Sequence, residues 1–198
     1  MSVYVIGDTH GNPAALRRLS GVLPGDTVIS VGDWGYSDSV TNSLPFTVHV
    51  NKGNKEAWKN IDLSGNGAYR LPGDVISVEG IKIGFVPGAA SPNGIIAGKT
   101  RRRNEMPVVA DWSDKPDIVI SHDAPTGSPL EDFDRWVFPY DRKRVEKSRL
   151  IVAEMIRQSG AMRVVHGHYH RAMEYEWEGR SVRSLSAFET TGEMIKLA

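Results

Sequence analysis

The chain has 198 residues, 40% of them hydrophobic, with 24 Lys plus Arg against 24 Asp plus Glu, so it carries no net charge at pH 7. Such a chain has no global field to draw it onto nucleic acid or an anionic membrane, and no apolar run approaches the roughly 18 residues of a membrane span. One soluble domain over residues 1–198 is expected, and with no cysteine present its metal ligands are limited to His, Asp and Asn, which suit hard or borderline divalent ions.

Val3 to Ile6 reads as a short buried strand that leaves no room for a signal peptide, so a cytoplasmic location is expected. Gly7-Asp8-Thr9-His10-Gly11 follows as a polar loop in which an extended backbone aims Asp8 and His10 the same way. Asn12 is placed to cap a helix with Pro13 at its first position, running through Leu16 and Leu19 to Gly21. After the turn Leu23-Pro24-Gly25-Asp26, Thr27 to Val31 is a second strand; it climbs to Gly32, where the backbone can turn sharply, and delivers Asp33 at its open end. Alone, strand-Gly-Asp is also an ordinary turn. Phe46 to Val50 is a third strand, from which Asn51-Lys52-Gly53-Asn54-Lys55-Glu56 turns into a short helix through Trp58 and Ile61.

Val75 to Val78 and Ile81 to Val86 flank Glu79-Gly80, a two-residue hairpin signal. Pro87 to Asp114 is long and mostly aperiodic, and is expected to form a rim around a site. Asp117 to Ser121 is a strand running into His122-Asp123-Ala124-Pro125. Ser128 to Asp141 is Pro-punctuated and aromatic, and Val145 to Ser159 is an amphipathic helix with Leu150, Ile151 and Ile156 facing inward and Gly160 closing it. Met162 to Val165 is a strand ending in His166-Gly167-His168-Tyr169-His170. Met173 to Trp177 and Ser181 to Leu185 form a hairpin, and Met194 to Leu197 adds a last strand. Strand-helix units followed by hairpins predict an α/β fold, a four-layer α/β/β/α sandwich of two mixed β-sheets flanked by helices.

Asp8, His10, Asp33, Asn54, His122, His168 and His170 all fall just beyond strand ends, where open α/β sheets collect their sites. Four of the six histidines take such positions, which core packing does not require. His49 alternates with Val48 and Val50 inside a strand and reads as structural, with a general acid as the alternative, and His166 as packing or support behind the ligands, with ligation as the alternative. Asp123 follows His122, so at a strand end it points the other way. Trp34, Tyr36 and Trp112 read as packing aromatics, with stacking on a nucleobase as the alternative. The run Arg101, Arg102, Arg103 reads either as a solvated loop or as a phosphate-contacting rim.

Taken in order, Asp8-Thr9-His10-Gly11, Gly32-Asp33, Gly53-Asn54, His122 and Gly167-His168-Tyr169-His170 resemble the motifs of the calcineurin-like metallophosphoesterase superfamily. Gly88-Ala89-Ala90-Ser91, the arginine run, Trp112 and Ser121 to Pro125 resemble, more loosely, its small bacterial and phage members. The resemblance implies a dinuclear centre in which Asp8, His10, Asp33 and His170 hold one divalent ion and Asp33, Asn54, His122 and His168 the other, with Asp33 bridging. Mn2+ is the expected metal, with Fe or Zn as alternatives. Two such ions, about 3.5–4 Å apart, would lower the pKa of a shared water so that a hydroxide attacks phosphorus in line. By the same resemblance Asp33, Asn54 and His122 are the catalytic residues, with Asn54 and His122 also orienting the substrate phosphate; Lys55, by its charge, and Arg101 to Arg103, as a rim, are the further candidates for substrate contact.

Lys55 departs from the pattern: where the family commonly reads Gly-Asn-His followed by Asp or Glu, this chain reads Gly53-Asn54-Lys55-Glu56. The missing His is the one usually assigned to protonate the leaving oxygen, and a lysine of ordinary pKa near 10.4 stays cationic at pH 7 and donates poorly. The expected function is therefore a phosphodiesterase for small or cyclic nucleotide diesters, 2′,3′-cyclic ones above all, whose ring strain offsets the absent acid. The alternatives are a non-catalytic metal-binding scaffold on the same fold, a phosphomonoesterase or a nuclease. A small phosphate ester is the expected partner, with neither a membrane nor polymeric nucleic acid.

Overall fold

The computed structural model describes residues 1–54, 67–90, 107–131 and 139–198. Lys55, the helix expected through Trp58 and Ile61, and Arg101 to Arg103 lie outside the described residues.

Alternation of side chains decides the layers. In Val3–Ile6 (β1), Val3 and Val5 face one core and Tyr4 and Ile6 another. Thr27–Ser30 (β2), Thr47–Asn51 (β3) and Gly67–Arg70 (β4) follow in parallel, and Met194–Lys196 (β11) joins antiparallel beside β1, giving the order β11-β1-β2-β3-β4. A second sheet is built from Val75–Val78 (β5), Ile81–Val86 (β6), Ile118–Ser121 (β7), Arg163–His166 (β8), Met173–Trp177 (β9) and Arg180–Ser184 (β10). Its order is β5-β6-β7-β8-β10-β9, with parallel pairings inside and an antiparallel hairpin at each edge.

The two sheets face each other across Val3, Val5, Ile29 and Val31 on one side and Ile83, Phe85, Ile118 and Ile120 on the other. Each such side chain contributes about 1.5–3 kcal/mol by leaving water. The outer face of the first sheet buries Ile6, Val28 and Val48 against Ala15 and Leu19, from Pro13–Arg18 (α1) and the 3-10 turn that continues it. Asp38–Asn42 (α2), capped by Ser37, lies between β2 and β3. The outer face of the second sheet buries Val86, Val119 and Val164 against Val152, Ala153 and Ile156 of Pro139–Ser159 (α3). A short helix, Phe188–Thr191 (α4), precedes β11. The architecture is the expected pair of mixed sheets between helices.

Three elements, α2, β4 and α4, were not foreseen, and α3 begins at Pro139 rather than Val145. Leu150, expected to face inward, is 49% exposed. Val145, Ser148, Arg149, Val152, Ala153 and Ile156 form the buried stripe, and Leu150 is turned some 200° from both Ser148 and Val152, onto the outer face. Among the described residues no helix is long and apolar enough to cross a membrane.

Register brings the strand ends into line: Ile6 lies opposite Ser30 and Ser30 opposite Val50, while Val86 lies opposite Ser121 and Ser121 opposite His166. Asn51 ties the sheets together at this edge, its Nδ2 donating to Val31 O at 3.1 Å and Val86 O at 3.4 Å.

Candidate metal centre

The loops leaving these strand ends are held in an uncommon backbone conformation. His10, Asp33, His168 and His170 have φ of 50°, 46°, 69° and 54°. The other two non-glycine residues with positive φ among those described, Glu79 and Glu178, open two-residue hairpin turns that demand it. The four loop residues serve no such turn, and each carries about 1–3 kcal/mol of strain that the surroundings must hold. Part of that hold is visible: Thr9 and His10 N–H both donate to Asp33 O, and Gly11 N–H donates to Trp34 O at 3.0 Å. Two glycines allow the loops to touch at backbone distance. A Cβ on Gly32, at φ 144°, would enter the His122 ring, and one on Gly167 would enter the Asp8 carboxylate.

Among the described residues, two sets of side chains bring ligand atoms within 4.8 Å of one another: Asp8, His10 and His170, and Asp8, Asp33 and His122. His170 Nε2 is 3.0 Å from Asp8 Oδ2. Asp33 faces both sets, Oδ2 lying 3.4 Å from His10 Nε2 and Oδ1 3.7 Å from His122 Nε2. Asn54 Oδ1 approaches His122 Nε2 to 3.1 Å. His168 stands beside them, its ring 5.0 Å from that of His122 and its backbone N–H donating to Asp8 Oδ2 at 3.2 Å, but its ring is in neither set. Asp8 thus spans the two sets as well as Asp33, a sharing that sequence reading had given to Asp33 alone.

Protons on the imidazoles bear on what fits between these groups. His122 Nδ1 lies 3.3 Å from Val31 O, and His10 Nδ1 lies 3.0 Å from Glu189 Oε1, while Nε2 of the same rings faces Asn54 Oδ1 and Asp33 Oδ2, so each ring has acceptors on both sides and a neutral imidazole can donate to only one. With the proton on Nδ1, a cation beside Nε2 would satisfy the other side. Asp8 and Asp33 are 1% and 2% exposed, and two buried carboxylates in one cleft repel unless positive charge sits with them. Without a metal, burial works to raise the Asp8 pKa, but a protonated His122 and the hydrogen bond from His170 outweigh it and hold the group below the ordinary carboxylate range. Carboxylate, amide and imidazole donors suit Mn, Fe or Zn. The residues present fit a pair of divalent ions.

Glu189, on α4, was missed by sequence reading: it lies 179 residues from its His10 partner and in no motif. Its other oxygen accepts from Asn12 Nδ2 at 3.2 Å. A second buried network backs the histidine loops. Tyr169 OH donates to Asp123 Oδ1 at 3.0 Å and accepts from Arg149 Nη2 at 2.6 Å, while Ser148 Oγ donates to Asp123 Oδ2. Asp123 is therefore committed away from the ligand sets. His166 bonds Tyr175 OH at 2.9 Å, and burial pushes its ring down to about 4. Burial likewise brings His168 to about 4. His49 pairs with Arg70 Nη2 at 2.7 Å inside the sheet. Trp34 is fully buried with Nε1 on Thr41 Oγ1, Trp112 donates to Met155 O and Tyr36 to Asn12 O, so all three aromatics pack rather than face the centre.

No curated protein matches the sequence. Among solved structures, the chain is similar to phosphopantetheinyl hydrolase (PptH) from Mycobacterium tuberculosis, at 14% identity and a TM-score of 0.54 over 99% of this chain and 95% of that one. It is also similar to a protein of unknown function from Aquifex aeolicus, at 17% identity and a TM-score of 0.51 over 98% and 95% of the two chains. Likeness at such identity speaks for the fold. The sequence itself matches the calcineurin-like phosphoesterase family over residues 1–172, a span that takes in every candidate ligand, and the chain belongs to that family.

Proposed function

We propose that the protein is a two-metal phosphodiesterase for small substrates, with strained 2′,3′-cyclic nucleotide diesters the preferred class. The observation that supports this best is Asp33 turning one oxygen to His10 and the other to His122, inside a cluster of carboxylate and imidazole ligand atoms that divalent cations would satisfy. Asp8, His10, His170 and Asp33 would hold one ion, and Asp33, His122 and Asn54 the other, with Asp8 within reach of both. Bound there, divalent ions, Mn2+ foremost, would activate water and neutralise phosphoryl oxygens. The chain's own part is to hold those ligands rigid, to keep the carboxylates ionised, and to orient the phosphate with the Asn54 amide and His122.

The choice of diesters rests on the missing acid. Lys55 replaces the usual histidine. Neither remaining imidazole outside the candidate ligands makes up for it: His49 and His166 are both pushed down to about 4, first by burial, and are neutral at pH 7. Acid catalysis is worth roughly 10²–10⁴-fold, so its loss weighs on esters whose leaving alkoxide needs a proton.

The test is a chelator-stripped protein reconstituted with Mn2+ and assayed on an aryl diester, a 2′,3′-cyclic nucleotide and an alkyl monoester. Activity should vanish on stripping and return with metal, with kcat/KM for both diesters above that for the monoester. Lys55→His should raise monoester turnover by about tenfold or more while altering the diesters less. A wild-type preference for the alkyl monoester sinks the diesterase reading. Metal binding with no hydrolysis of any ester would mark a scaffold.

A further inference from the structure

We propose that Glu189 is a positioning residue for the first metal position, fixing the His10 ring in the one tautomer and orientation that present Nε2 as a ligand atom. The proposal rests on reading His10 as a metal ligand. His10 sits on strained backbone, at φ 50°, with its side chain 18% exposed and its ring 4.8 Å from that of His170. Glu189 meets the ring's Nδ1 edge from across the chain, Oε1 lying 3.0 Å from Nδ1, while Nε2 faces Asp33.

The carboxylate is itself immobilised. Its second oxygen is held by Asn12 Nδ2, and Asn12 is fixed in turn as the cap of α1, its Oδ1 accepting from Ala14 N at 2.9 Å. The helix that carries Glu189 is anchored at its first residue, for Phe188 is fully buried and its N–H donates to Asp8 O at 2.9 Å. One short helix therefore braces both Asp8 and His10. His122 offers the internal comparison. Its Nδ1 is met by the neutral carbonyl of Val31, whereas His10 is met by a charged acceptor, which makes the ring more basic and a stronger ligand.

The experiment compares wild type, Glu189→Ala and Glu189→Gln as full chains stripped of metal. Mn2+ titration by calorimetry gives affinity at each position, and ring 15N resonances of His10 in the metal-free proteins give the tautomer. Wild type should take two Mn2+ and show Nδ1 protonated. In Glu189→Ala one of the two positions should weaken by about 10–100-fold and His10 should become a mixture of tautomers. In Glu189→Gln, whose amide oxygen accepts the same hydrogen bond without charge, the tautomer should be restored and most of the affinity with it. Two Mn2+ bound at wild-type affinity by Glu189→Ala, with Nδ1 still protonated, would overturn the positioning role while leaving the metal centre standing. A wild type that takes up no Mn2+ would overturn both.

Discussion

Asp33 and His49 show how differently two buried titratable groups can be used. Asp33 divides its two oxygens between His10 and His122, so Asp33→Asn removes a charge shared by both positions and turns an NH2 toward one of them. Charge stabilisation by metal is worth several kcal/mol, so kcat should fall by roughly 10²-fold or more, and metal content should drop below that of wild type. Unchanged turnover and metal content would place the sharing on Asp8 alone. His49 has no part in that chemistry and bears on stability. Burial, and then Arg70 beside it, push its ring down to about 4 from 6.5, so the folded protein keeps it neutral where the unfolded chain takes a proton. Stability is thus fully present above about pH 6.5 and is lost as pH falls toward 4, by about 1–3 kcal/mol for this one ring. Urea unfolding midpoints at pH 7 and pH 4.5 should differ less in His49→Gln than in wild type; equal losses would exonerate His49.

At the scale of elements, the strand ends and the loops after them act as one unit, and Gly32 is its tightest point. Gly32→Ala combines a φ of 144° with a Cβ inside the His122 ring. It should cost about 1–3 kcal/mol and displace His122, so that the thermal midpoint and Mn2+ uptake fall together. A stable variant with full metal uptake would mean the loop can yield. Why so much of this unit was readable from sequence follows from its chemistry: β-branched runs ending in Gly, Asp or His announce both a strand and its ligand. β4, with the sequence Gly-Ala-Tyr-Arg, lacks such a run, α2 is five residues of mostly polar character, and α4 is four residues long, so none offers periodicity to detect. Glu189 was invisible for a related reason, since its meaning lies in a contact made by folding and not in its neighbours. Leu150 misled because hydrophobicity was read without counting its angle around α3.

At the scale of the molecule, the candidate ligands come from both sheets: Asp8, His10, Asp33 and Asn54 follow strands of the first, and His122, His168 and His170 follow strands of the second. Ions held between them would bind the native arrangement and not the unfolded chain. At a free Mn2+ concentration about 100 times Kd the native state should gain about 2.7 kcal/mol, a rise in thermal midpoint of roughly 5–10 °C that chelation reverses. No shift on adding metal would mean that the native arrangement does not take up the ion.

The last strand has a consequence for how the chain comes to life. β11 covers the outer edge of β1, with Leu197 N–H on Val3 O at 2.8 Å, yet it is separated from β1 by nearly the whole sequence. During synthesis β2 can pair with β1 early, but the other flank of β1 stays an open edge until Met194–Lys196 emerges. A nascent chain stalled or cut short before Met194 therefore presents an unpaired strand to its neighbours, and such fragments should aggregate where the finished protein does not.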